Sequence, residues 1–118
     1  MRTLLGAVAV GLVGGAVAAA PSRTPFIAEL DAAMDKMMHG MSITPSGDVD
    51  ADFVSMMEPH HQGAIDMAIA ELRYGRNEQL RRIAQEIIID QQQEIAAMRL
   101  SVGRPLPAPA PAPTAGRR

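Results

Sequence analysis

Between Pro25 and Leu100, apolar residues return at every third or fourth position in three successive runs separated by glycine- or proline-bearing breaks. No stretch alternates with the period of two that a half-buried strand requires. A chain patterned this way folds by burying helical stripes against one another. The first run, Pro25 to Met41, has Thr24 as a cap, Pro25 at the first helical position, and Phe26, Leu30, Ala33 or Met34, Met37 and Met41 on its stripe, with Gly40 near its end. The turn-rich link SITPSGDVD follows, in which Ser46 or Asp48 can cap the next helix. The second run, Val49 to Tyr74, carries Phe53, Met56 or Met57, His60, Ala64, Met67 and Leu72 along one side and ends at Gly75. Pro59 inside it removes the bond to the Ser55 carbonyl and predicts a kink or a break. The third, Asn77 to Leu100, has Leu80, Ala84, Ile87, Gln91, Glu94 and Met98 on one stripe, widened by Ile83, Ile88 and Ile95, and is stopped by Gly103 and Pro105. Short links between long amphipathic helices make neighbours antiparallel, so the expected fold is all-α: a small up-down bundle of three main helices.

The two ends fall outside that pattern. Met1, Arg2, the apolar run Leu4 to Val17 and the small residues Ala18 to Ala20 have the layout of a secretory signal peptide over residues 1–19. A retained anchor is the other reading, and the run is short for a bilayer span of about 20 residues. Residues 103–118, GRPLPAPAPAPTAGRR, alternate proline with alanine and read as an extended tail, either a cell-envelope tether or a segment without a partner. About 80 residues, 21–101, remain for the fold, which is marginal for a core without tight packing or a ligand.

Of the 11 basic residues, Arg2, Arg104, Arg117 and Arg118 lie at the ends, leaving 7 against all 13 acidic residues, a net charge of −6 in the domain. That argues against a nucleic-acid partner and is compatible with a cation. With 0 cysteines, an exported chain has no disulfide staple and no thiolate to capture soft metals. Nine methionines then stand out, eight of them inside the domain.

The stretch SMMEPHHQGAIDMA, Ser55 to Ala68, concentrates this chemistry. Helical spacing sets Met56 beside His60 and Met57 beside His61, with Met67 two turns beyond His60. Thioethers suit Cu(I) and imidazole suits both Cu(I) and Cu(II), so a Met and His set without cysteine selects copper over zinc, magnesium or calcium. The competing reading is core packing, which methionine serves well; two adjacent imidazoles shift the balance, because burying them is costly unless something uses them. A second cluster, MDKMMHGM, offers Met37, Met38, His39 and Met41 as an auxiliary site or as the buried stripe of the first helix. Glu94 and Met98 on the third helix are further ligand candidates, Glu94 alternatively forming a buried hydrogen bond that orients the fold, with the histidines opposite available to it as partners.

Asp52 and Phe53 leading into MMEPHHQGAIDMA, followed by LRRIAQEIIIDQQQEIAAMR, resemble a bacterial family of exported helical proteins catalogued as domain of unknown function 305. Some of its members are described as CopM-like periplasmic copper metallochaperones. The resemblance covers Phe26 to Leu100. It implies a ferritin-like fold and copper binding through Met57, His60, His61, Gln62, Met67, Gln91, Glu94 and Met98. Leu100 stands where the family often has an aromatic residue.

The expected function is therefore an exported, periplasmic or secreted copper-binding protein that buffers Cu(I) or hands it to another periplasmic copper protein. The metal ligands are drawn from His60, His61, Met57, Met67, Met98, Met56 and Glu94. No nucleophile paired with a base, phosphate loop or basic aromatic patch points to an enzyme. Two rivals remain. Glu58 and His61 form one Glu-x-x-His unit of the kind found in di-iron carboxylate bundles, and the Met-rich face could grip a partner without metal.

Overall fold

The computed structural model describes residues 23–109, so the signal-peptide reading of residues 1–19 and most of the tail lie outside the described residues. Three helices follow in order, α1 (Pro25–Met41), α2 (Val49–Tyr74) and α3 (Glu78–Ser101), with no strand among the described residues. Each begins on a side-chain cap. Thr24 accepts from the Ile27 amide, Asp48 from Asp50 and Ala51, and Asn77 from Gln79 and Leu80. Such caps satisfy amides that the helix leaves without partners, contributing about 1 kcal/mol each. Gly75 closes α2, and Gly103, at φ 69°, follows α3 in the left-handed conformation that glycine adopts at little cost.

Ser46 does not cap α2. Its amide and hydroxyl instead donate to the Asp52 carboxylate, the hydroxyl at 2.6 Å. The hydroxyl bond, and then the amide bond, hold the Asp52 carboxyl below its ordinary value. At the other end of the bundle, the Tyr74 hydroxyl and then Arg73 do the same to Glu29. Both folded values are depressed, so the stability they contribute is present above the ordinary carboxylate range and is lost as pH falls through the folded values. Ser46→Ala is accordingly expected to shrink the fall in urea midpoint between about pH 5 and about pH 3; an unchanged fall would detach Asp52 from acid stability.

The helices run antiparallel, and α2 is central: it packs on α1 and on α3, while α1 and α3 do not touch. Against α1, Lys36 donates to Asp66 at 2.9 Å, and Arg73 and Tyr74 reach back to Glu29. Two glycines set the approach. A Cβ on Gly40 would lie 2.6 Å from the Pro59 Cβ, and one on Gly63 would lie 2.9 Å from the Met37 Cβ. The main core lies between α2 and α3, where Ile65, Ala68, Leu72, Ala84, Ile88 and Ile95 are buried and Met98 packs against them.

The helix does not break at Pro59: α2 is continuous through it. In the turn before it, the Ser55 hydroxyl donates to the Ala51 carbonyl at 2.8 Å and the Arg104 guanidinium donates to both the Ser55 hydroxyl and the Ala51 carbonyl. Arg99 in turn donates to the Pro105 carbonyl and to Glu58. The start of the tail is thereby tied across α2, and Leu106, Pro107 and Ala108 form one wall of a groove of about 530 Å³ with Gln62 and Gln92.

Candidate metal centre

The antiparallel register of α3 on α2, joined by the short link between Tyr74 and Glu78, decides which side chains meet. His61 is buried, 8 % exposed, on the α3-facing side of α2. Its Nδ1 lies 2.9 Å from the Met57 carbonyl and its Nε2 2.6 Å from the Glu94 carboxylate. A backbone carbonyl only accepts, so Nδ1 is the nitrogen that donates to Met57. The backbone contact fixes the ring's orientation and leaves Nε2 as the nitrogen a metal would take, replacing the hydrogen it shares with Glu94. Glu94 is not the buried hydrogen-bonding group that its stripe suggested: its side chain is 58 % exposed.

One turn before His61 on α2 is Met57, and one turn after Glu94 on α3 is Met98. In an antiparallel pair those steps run the same way, so the register that joins His61 to Glu94 also places Met57 and Met98 at the same level, both half-buried. Residues carrying a thioether, an imidazole and a carboxylate therefore stand within one turn of one another along the α2–α3 seam, Met98 packing against the core as well. His60 lies on the adjoining side, exposed, its ring centroid 6.0 Å from that of His61. By helical spacing Met56 and Met67 share His60's side of α2; Met56 is exposed and Met67 half-buried.

The α1 cluster is divided by its helix. Met37 is buried against Gly63 in the α1–α2 seam, Met41 is half-buried, Met38 is 57 % exposed, and His39 is exposed in the last turn. A cationic His39 there would interact favourably with the helix C-terminus whatever else it does. Among the described residues no group of three or more His, Asp or Glu side chains is assembled to hold a metal. The Glu58 and His61 pair is committed elsewhere, Glu58 to Arg99 and His61 to Glu94.

What the sequence reading missed is the support around the cluster. Arg99 and Arg104 pin the end of α3 across the Pro59 turn, a role signalled only by two basic residues following the last methionine-bearing turn. No helix among the described residues is long and apolar enough to cross a membrane.

No curated protein and no solved structure matches the chain. The profile of one family, described as Domain of unknown function (DUF305), matches residues 16–101. That match takes in all three helices and every candidate ligand, and the chain belongs to the DUF305 family.

Proposed function

We propose that this is an exported copper-binding protein that holds Cu(I) in exchangeable form, for buffering or handover to a periplasmic copper protein, without catalytic turnover. The observation that carries the reading is the register of α2 on α3, which sets the Met57 and Met98 thioethers one turn from an imidazole whose other nitrogen is already oriented by the backbone. Thioether with imidazole is a donor set for Cu(I), and imidazole with the Glu94 carboxylate extends it to Cu(II). His60, Met56 and Met67 lie close enough on α2 to take over the ion as it leaves, and Met38, His39 and Met41 offer a weaker second station. The ferritin-like likeness expected of the family is carried no further than three antiparallel helices of that general kind.

Anaerobic titration with Cu(I) against a competing chromophoric chelator tests this. Met57→Leu with Met98→Leu keeps side-chain volume and removes both sulfurs, at a stability cost below about 1.5 kcal/mol. The pair is expected to weaken Cu(I) binding by about 10- to 100-fold. Unchanged affinity would remove the α2–α3 seam from the site, and failure of the parent chain to compete for Cu(I) would remove the function.

A further inference from the structure

We infer that residues 110–118 of this chain dock along the groove between α2 and α3, as an extended strap that carries on from Leu106, Pro107 and Ala108. The start of the path is fixed on both helices. The Arg104 guanidinium donates to the Ala51 carbonyl and the Ser55 hydroxyl near the beginning of α2, and Arg99 of α3 donates from Nε to the Pro105 carbonyl. From there Leu106, Pro107 and Ala108 enter the wall of the groove itself.

The groove is longer than those residues can cover. Its lining includes Ile65 and Ile69 of α2 and Ile88 and Ile95 of α3, with Gln62 and Gln92 beside them. From Glu58 to Ile69, α2 rises about 16 Å, whereas three residues of polyproline-like chain span about 9 Å. On this side Ile69 remains 36 % exposed and Ile89, one turn before Gln92, 49 %. Ile69 also borders a second hollow of about 260 Å³ between α1 and α2, lined by Ala32, Ala33 and the Glu29 and Asp66 carboxylates among others. The two hollows meet at that isoleucine.

The chain that follows has the length and the chemistry for this path. Residues 110–118, APAPTAGRR, continue the alternation of Pro107, Ala108 and Pro109. At about 3.1 Å per residue they reach about 28 Å, enough to pass Ile69 and the hollow beyond it. Proline and alanine set small apolar faces on an isoleucine floor, and a chain already extended has less freedom to lose on docking. Gln62 and Gln92 can donate to carbonyls that a polyproline helix leaves without internal partners. Residues 103–118 hold three arginines and no acidic residue, so they are drawn to helices of net charge −6. Tethering at Arg104 and Pro105 gives an effective concentration of about millimolar, at which weak contacts suffice. By helical spacing His60 and Glu94 stand on the other side of α2 and α3 from Gln62 and Gln92, so the strap leaves them open. The inference does not rest on copper and applies to the metal-free protein.

With 0 cysteines in the chain, Thr114→Cys gives one site for a nitroxide label on the full chain. In a dilute sample the methyl signals of Ile69, Ile88 and Ile89 are expected to lose most of their intensity, while those of Ile83 and Ile87, on the opposite side of α3, keep theirs. Ile69→Ser with Ile89→Ser, both at partly exposed positions, should restore the Ile88 signal; if that variant loses helicity, the pattern in the labelled parent decides alone. Undiminished signals, or equal losses on both sides of α3, overturn the inference, as does broadening that persists in the folded double variant. So does broadening that arises only between spin-labelled and isotope-labelled chains in a mixture, which would give the groove to the tail of a second copy.

Discussion

Gly63→Leu is expected to damage the α1–α2 seam, lowering stability by about 2 kcal/mol and the melting temperature by about 10 °C. A Cβ at this position would lie 2.6 Å from the Met37 sulfur and 2.9 Å from its Cβ and Cγ. The sulfur can swing away, but the Met37 Cβ is fixed to the α1 backbone, so the helices themselves must separate. Overpacking of this kind costs about 3 kcal/mol, set against about 1 kcal/mol gained from replacing glycine inside a helix. The same gain makes Gly63→Ala a milder change. Thermal melts of Gly63→Leu alone and with Met37→Gly, which removes the Cβ, separate the causes: a favourable coupling of at least about 1 kcal/mol in the double variant marks the clash, and additivity would place the damage elsewhere.

His60→Ala with His61→Ala is expected to weaken Cu(I) binding by about 100-fold or more, the largest functional effect in the molecule. The two histidines should not contribute equally. His61 is buried with its ring held by the Met57 carbonyl, so its nitrogen is positioned before metal arrives; His60 is exposed and must be ordered on binding. His61→Ala alone should therefore account for most of the loss. Because it also breaks the bond to Glu94, the comparison needs Glu94→Gln, which is expected to disturb the ring's partner while keeping most of the affinity. Equal losses from His60→Ala and His61→Ala in an anaerobic chelator competition would contradict the ordered role of His61.

The helices, their bounds to within a residue and two of their caps were legible in the sequence, because periodicity, Thr24, Asp48 and the Gly75 break all act locally. Which face each helix buries was less so. The stripe through Phe53, Met56, His60 and Met67 is apolar enough to pass for an inner face. Yet α2 buries Val54, His61, Ile65, Ala68 and Leu72 toward α3 and packs Gly63 and Ala70 with α1. A central helix has two seams, and the chosen stripe is the open side between them. The same displacement occurs on α3, where Ile88 and Ile95 are buried while Leu80, Ile83 and Ile87 are exposed. Periodicity reports that a face is apolar, not what covers it. That one helix runs from Val49 to Tyr74 was legible, with a break at Pro59 left open; the Arg104 contact to the turn before Pro59, from more than forty residues on in sequence, was not. In the site, the His61 and Glu94 contact was foreseeable as an imidazole facing a polar residue on the opposite helix. The division of Met37, Met38, His39 and Met41 was not, because the decisive fact is that Met37 fills the space above Gly63.

The central claim is that Cu(I) is held by thioether sulfur together with imidazole nitrogen at the α2–α3 seam. Copper K-edge X-ray absorption of the anaerobically Cu(I)-loaded chain tests it most directly. The account predicts a low-coordinate shell with both sulfur and nitrogen scatterers, the nitrogen reduced in His61→Ala and the sulfur reduced in Met57→Leu with Met98→Leu. A shell of nitrogen and oxygen alone, or copper that washes out of the parent chain, would contradict it.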